Sequence, residues 1–180
     1  MFRDDVITAV KAEPTYWADV FREVWRDGSP AALDPLTTAL RQRLPRAYVG
    51  ACTSLGALLL MAVDVENNAP YLTSRTEQWY QLTDFPGPAD KTSPSERYST
   101  LLKFLDALAA EVSTQTQTAV SRLEAQGMAW TVTDGDMPES WDSKMAEDLK
   151  RYRGQQERPP RAWLMRPRGL TTDEWLADSQ

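Results

Sequence analysis

The longest apolar repeat in the chain covers residues 95–126. Apolar residues recur in it at alternating steps of three and four, the spacing of one face of an α-helix. They are Tyr98, Leu101, Leu105, Leu108, Val112, Ala119 and Leu123. With Pro94 before it and Gly127 after it, the repeat predicts one helix of about 32 residues, roughly 48 Å long. The polar stretch 113–118 interrupts the apolar face, so we expect a kink or a polar layer there.

Shorter helices are predicted on both sides of this repeat by the same spacing and by prolines and glycines at the segment ends. They cover residues 4–13, 15–26, 34–44, 74–82, 139–153 and 171–178. Thr15 is the expected N-cap of the second helix. Asp34, followed by Pro35, is the expected N-cap of the third.

Residues 47–63 form a run of 17 residues without a charge, which is at the lower limit for a membrane-spanning helix. Gly50, Gly56 and the polar sequence around the run favour a buried central helix instead. Periodicity does not separate a buried helix from a buried strand. A strand over 46–52 followed by a short helix therefore stays open as an alternative.

Two short segments, 128–133 and 162–165, have strand-like composition and predict a minor two-stranded β element. The proline-rich residues 83–94 predict an exposed loop. A chain of 180 residues is within the usual size of one domain. We therefore expect a mainly α-helical fold, a single-domain helical bundle over residues 1–180, with a basic, tryptophan-containing C-terminal segment at 154–180.

The sequence has no histidine and one cysteine, Cys52. Histidine-based catalytic triads, histidine-ligated zinc and thiolate metal sites are therefore excluded, and glycine-rich phosphate loops are absent as well. Cys52 lies in the apolar run and is predicted to be a buried hydrophobic residue. We expect no catalysis, no cofactor and no metal. Asp134, Asp136 and Glu139 are a weak candidate for a divalent-metal site, and a solvated turn with acids at a helix N-terminus is the preferred explanation.

Charge is segregated in the last third of the chain. Residues 134–148 contain six acids and one lysine. Seven basic residues and one acid follow between 150 and 168. The basic residues are Lys150, Arg151, Arg153, Arg158, Arg161, Arg166 and Arg168. Lys150, Arg151, Arg153, Arg158 and Arg161 therefore form a candidate nucleic-acid surface. The alternative is that they pair with the neighbouring acids.

Trp163 and Trp175 lie among prolines, arginines and acids, where deep burial is not expected. Tryptophan and arginine are enriched at the energetic centres of protein interfaces. The predicted partner-binding residues are Arg158, Arg161, Trp163, Arg166, Arg168 and Trp175. The alternative is that the two indoles pack this segment onto the helical body.

These observations favour an acidic, cytoplasmic, non-catalytic interaction protein whose partner is another protein. An adaptor, an assembly subunit or an inhibitor would fit, and size, acidity and lack of motifs are typical of phage or mobile-element proteins. The main alternative is an accessory subunit that binds nucleic acid through 150–168, and the third is a carboxylate–metal enzyme. We expect no membrane partner, and the long helix could serve as a homo-oligomer interface.

Overall fold

The computed structural model describes residues 2–133 together with 143, 144, 146, 147 and 150. By its internal contacts the chain divides into two units, Met1–Asp136 and Met137–Gln180. The described part is mainly helical and contains no strand. Its helices are α1 (Phe2–Ala12), α2 (Pro14–Asp27), α3 (Leu33–Arg43), α4 (Val49–Met61), α5 (Thr73–Thr83), α6 (Pro94–Thr116) and α7 (Arg122–Thr133). A short 3-10 turn, Pro30–Ala32, precedes α3.

The ends of α2 follow from a proline and a glycine. Pro14 occupies the first helical position, where a missing N–H costs nothing. Thr15 is therefore already inside the helix, and its predicted role as N-cap is wrong. Gly28, with a φ of 66°, closes the helix in the left-handed conformation, and its N–H donates to the Val24 carbonyl at 2.9 Å.

The sequence predicted Asp34 as the N-cap of α3. This prediction is wrong, because α3 begins at Leu33, directly after the 3-10 turn. Its carboxylate accepts hydrogen bonds at the first turn of α6 instead. The Ser95 N–H donates to Oδ1 at 3.0 Å and the Ser95 hydroxyl donates to Oδ2 at 2.6 Å. Asp34 thus ties the start of α3 to the start of a helix 61 residues later.

The core is centred on one face of α6, which packs against α3, α4, α7 and the 3-10 turn. The buried residues of that face are Tyr98, Leu101, Phe104, Leu105 and Ala109. Phe104 is surrounded by rings from α5 and from the segment 84–93 that follows it. The mainly helical prediction is confirmed by this arrangement.

The predicted 32-residue helix is wrong, because α6 ends at Thr116 and α7 begins at Arg122. Gln117 adopts a left-handed conformation with a φ of 56°. The hydroxyl of Ser113 accepts the Val120 N–H at 3.0 Å and so stabilises the reversal that follows. The polar stretch noted in the sequence therefore ends the helix rather than bending it.

The predicted strand at 128–133 is also wrong, because these residues belong to α7. Ala125, Ala129 and Thr133 are buried at steps of four, which is a helical face. The predicted second strand at 162–165 lies outside the described residues. Residues 49–61 form one helix, which decides against the alternative of a strand at 46–52. No helix in the described ranges is long and apolar enough to cross a membrane.

The connection between α4 and α5 is irregular but tightly bound to α6. The buried Tyr98 hydroxyl accepts the Ala69 N–H at 3.0 Å and lies 2.9 Å from the Ala69 carbonyl, to which it donates. The side-chain amide of Asn68 donates through Nδ2 to the Asp64 carbonyl at 3.0 Å. Asn68 and Ala69 are themselves buried. We call residues 64–71 the clasp, because side chains of the later helices hold it in place.

Side chains of α7 complete the attachment of the clasp. The Arg122 guanidinium makes two hydrogen bonds to Asp106, at 2.7 and 2.8 Å, and also donates to the Asn67 carbonyl. The Gln126 amide donates to the Pro70 carbonyl at 2.7 Å. The polar backbone of the clasp is thereby paired inside the protein, where an unpaired group would be costly.

Because the Tyr98 hydroxyl binds the clasp, we expect the protein to lose stability in alkali. Burial raises the pKa of the Tyr98 hydroxyl from 10 to about 12. The native protein therefore keeps a proton that the unfolded chain releases, so its free energy of unfolding falls as the pH rises from 10 to about 12. Urea titrations at a series of pH values measure this fall. A free energy of unfolding that stays constant across this interval would contradict the burial of the phenol.

Candidate interaction surfaces

The residues singled out as sites in the sequence fall almost entirely outside the described residues. Those outside are Asp134, Asp136, Glu139, Arg151, Arg153, Arg158, Arg161, Trp163, Arg166, Arg168 and Trp175. Lys150 is described and is an exposed helical residue. Within the described ranges, no group of three or more carboxylate, cysteine or histidine side chains could hold a metal ion.

The first candidate surface is an apolar groove between α5, α6 and α7, with a volume of about 350 Å³. Its floor consists of the buried residues Trp79, Phe104 and Ala129. Its walls carry aliphatic side chains that remain partly or largely exposed: Leu82, Leu108, Val112, Met128 and Val132. Thr83 completes the lining. We call this surface the groove.

The floor of the groove is held rigidly. The Trp79 indole stacks on the Phe104 ring with 6.2 Å between their centroids. Its N–H donates to the Thr133 hydroxyl at 3.2 Å, which joins α5 to α7. Ala129 of α7 is buried and lines the groove together with this aromatic pair. The groove is therefore part of the folded core and needs no rearrangement to form.

Two glutamates lie beside the apolar walls of the groove. Glu111 is exposed and one turn beyond Leu108 on α6, and Glu124 is exposed and one turn before Met128 on α7. The backbone N–H and the hydroxyl of Ser121 donate to the Glu124 carboxylate and hold its pKa below the usual value. Neither glutamate lines the groove itself, and we call these two helical neighbours of its wall residues the acidic rim.

The second candidate surface is the outer side of α4. Leu55, Leu58, Leu59 and Ala62 are spaced so that they share one helical face. Leu58 is 56% exposed, and Leu55 and Leu59 are partly exposed. Just beyond the helix end, Val63 is 49% exposed. We call this surface the α4 face.

Trp25 extends the α4 face from the neighbouring helix α2. Its indole N–H donates to the Leu59 carbonyl at 3.1 Å, which fixes the ring beside the last turns of α4. The ring itself remains 45% exposed. An aromatic side chain held by one hydrogen bond, with much of its surface in water, is typical of an interface residue.

The prediction of a buried central helix at 47–63 is correct for only one side of α4. Ala51, Cys52, Gly56, Ala57 and Leu60 are buried, whereas the α4 face is open. Burial of Cys52 is confirmed, and it raises the pKa of that thiol. Because the run is apolar on all sides, its periodicity could not show which side meets solvent. The two charges that flank the run, Arg46 and Asp64, show only where it ends and do not identify its exposed side.

No protein-family model, curated protein or solved structure matches this chain. Its function is therefore inferred from the chemistry of these two surfaces.

Proposed function

We propose that this chain is a non-catalytic interaction protein that binds a helical segment of another protein in the groove. The observation that supports this proposal is the set of partly exposed aliphatic side chains above the fixed Trp79–Phe104 floor. Amphipathic helices bind in such grooves by inserting apolar side chains spaced one turn apart. An adaptor, an assembly subunit or an inhibitor could work through a contact of this kind.

The dimensions of the groove suit a peptide better than a cofactor. Its volume of about 350 Å³ is near the lower end of the range of about 300–1,000 Å³ for small-molecule pockets. Its lining offers one hydroxyl, that of Thr83, as a polar side chain. Two or three inserted apolar side chains would fill such a space without leaving polar groups unpaired.

The rim of the groove specifies the charge of the partner helix. Glu111 and Glu124 are both exposed acids, and the whole chain carries a net charge of -6. A helix with lysine or arginine beside its apolar anchors would be attracted to this rim, whereas an acidic helix would be repelled. We therefore propose an amphipathic helix with basic flanks as the occupant.

Selection from a displayed library of amphipathic helical peptides tests this proposal with the full chain as bait. The library varies the charge of the flanking positions and includes scrambled peptides of the same composition. We expect enrichment of peptides with apolar residues at steps of three and four and with basic flanks. Met128→Lys places a cation in the groove wall, so it should weaken the best peptide at least about 10-fold, or about 1.4 kcal/mol.

The matched control is Leu58→Lys, the same kind of change at an exposed apolar residue of the α4 face. It should leave the affinity for the selected peptide unchanged, and circular dichroism should show both variants folded. If no peptide is enriched over its scrambled form, the proposal is wrong. Equal weakening by the two lysine variants would also contradict it, because the binding would then not depend on the groove.

A further inference from the structure

A polar pocket lies apart from the groove, at the junction of α5, the segment 84–93 and the start of α6. Its volume is about 470 Å³, within the range of about 300–1,000 Å³ for small-molecule sites. Four of its lining residues carry a charge: Glu77, Asp84, Asp90 and Arg97. It shares no lining residue with the groove. We call it the polar pocket.

The segment 84–93 forms one wall of the polar pocket and is bound to the helices beside it. The Phe85 N–H donates to the Tyr80 carbonyl of α5 at 3.0 Å. At the other end of the segment, Arg97 Nε of α6 donates to the Thr92 carbonyl at 3.3 Å. Because the wall is held at both ends, the pocket is a formed part of the fold.

Tyr80 lines the polar pocket and carries a hydroxyl without a partner. The residue is only 6% exposed, and its hydroxyl makes no hydrogen bond in the described part of the chain. Burial raises the pKa of Tyr80, and the nearby Tyr71 adds to that rise. Burial also raises the pKa of Tyr71, whereas the Arg97 side chain lowers it. Because Arg97 lines the same pocket, the unpartnered hydroxyl belongs to its Arg97 side, where a ligand could supply the missing bond.

The charges of the polar pocket are unbalanced and unpaired. Glu77, Asp84 and Asp90 are exposed acids. Within the described part of the chain, neither these acids nor Arg97 forms a salt bridge. No group of three acids in that part could hold a metal ion. Three negative charges and one positive charge therefore favour an extended organic ligand with charges of both signs.

We propose that the polar pocket binds a free basic amino acid, lysine or arginine. The carboxylate of the ligand pairs with Arg97 and accepts a hydrogen bond from the Tyr80 hydroxyl. Its two cations face the acids, and its aliphatic chain packs on the partly exposed Phe85 ring. The site does not depend on the groove, so this proposal and the peptide proposal can fail separately.

The charge pattern of the lining distinguishes this ligand from simpler ones. A diamine has no anion for Arg97 and leaves the Tyr80 hydroxyl without an acceptor. A neutral amino acid has a single cation to offer to three carboxylates. An acidic amino acid adds a further anion, which those carboxylates repel. A ligand with one anion and two cations matches both parts of the lining.

Isothermal titration calorimetry of the full chain with free lysine and free arginine tests the proposal. We expect at least one of them to bind, one molecule per chain, at millimolar concentrations or below. Its amide, which lacks the carboxylate, and norleucine, which lacks the side-chain cation, should each bind at least about 10-fold more weakly. No binding of either amino acid would overturn the proposal. Equal affinity for the amide or for norleucine would overturn it as well.

Acetylation of the α-amino group separates a free amino acid from the last residue of a peptide. The acetylated ligand keeps the carboxylate and the side-chain cation but loses the second cation. It should therefore bind several-fold more weakly than the free amino acid. Equal or tighter binding of the acetylated form would assign the pocket to a peptide C-terminus and would rule out the free amino acid.

Two substitutions each remove one group from the polar pocket. Asp84→Asn keeps a residue type that tolerates the left-handed conformation found there, with a φ of 51°. Tyr80→Phe removes only the hydroxyl. Each variant should stay folded by circular dichroism and bind the amino acid several-fold more weakly. Unchanged affinity in either variant would contradict the proposal.

The matched control is Glu111→Gln, which removes one acid outside the polar pocket. It changes the net charge of the chain by the same amount as Asp84→Asn and should leave the affinity for the amino acid unchanged. If Glu111→Gln weakened binding as much as Asp84→Asn does, the attraction would come from the overall charge of the protein, and the pocket would not be the site.

Discussion

Replacing Gly56 with valine is expected to lower the free energy of unfolding by about 3 kcal/mol. A Cβ at this position would lie 2.7 Å from Leu33 Cγ and 3.3 Å from both of its methyl carbons. Leu33 is completely buried, in the first turn of α3, so its movement is restricted by the packed core around it. Urea titration followed by far-ultraviolet circular dichroism measures the change.

Gly127→Ala is the matched control in α7, where a Cβ would meet no atom within 4 Å. Alanine is better than glycine in a helix interior, so this variant should be more stable by about 0.5–1 kcal/mol. The two substitutions should therefore shift the urea midpoint in opposite directions. If Gly56→Val stabilised the protein as Gly127→Ala does, the close contact of α4 with α3 would be disproved.

The second large effect is expected at Tyr98, where phenylalanine should cost about 2–3 kcal/mol. The substitution removes only the hydroxyl, but that oxygen serves both the N–H and the carbonyl of Ala69. Ala69 and Asn68 are buried, and no solvent would replace the lost partner. The free energy of unfolding from urea titration at neutral pH gives the cost.

Tyr80→Phe provides the comparison, because it removes a hydroxyl from an equally aromatic and buried environment. The Tyr80 hydroxyl has no hydrogen-bond partner in the described part of the chain. Its removal leaves no group unpaired, so the stability should change by less than about 0.5 kcal/mol. Equal losses in the two variants would mean that the clasp does not depend on the Tyr98 hydroxyl.

Much of the helical fold could be predicted from spacing and from prolines and glycines. The face of α2 was predictable because Trp17 and Val24, both buried, are seven residues apart. Pro14 and Gly28 indicated its ends to within a residue. The same reasoning failed for Thr15, because proline at the first helical position displaced the expected cap.

The break after Thr116 was not predicted, because apolar spacing continues across it. Leu108 and Val112 belong to α6, whereas Leu123 belongs to α7, yet all three fit one repeat. The two helices are separated where a side-chain hydrogen bond competes with the helical backbone hydrogen bonds. The Ser113 hydroxyl bonds to the backbone of Val120, and such side-chain hydrogen bonds replace helical ones. Single-sequence periodicity does not include that competition.

Neither interaction surface was identified from the sequence. The groove is assembled from Trp79, Phe104 and Met128, which belong to three helices, so no local pattern joins them. The α4 face was hidden for a different reason, since its outer and inner residues are equally apolar. The tryptophan of the α4 face is Trp25, whose indole N–H donates to the Leu59 carbonyl on another helix.

The clasp is restricted in its ability to unfold locally. An irregular connection of this length usually loosens alone, at little cost and without disturbing the helices around it. Here the Ala69 N–H is bound to a completely buried tyrosine of α6. The Pro70 carbonyl is bound to a glutamine of α7. Releasing the clasp breaks its hydrogen bonds to both helices, so we expect this stretch without regular structure to unfold in the same cooperative unit as α6 and α7.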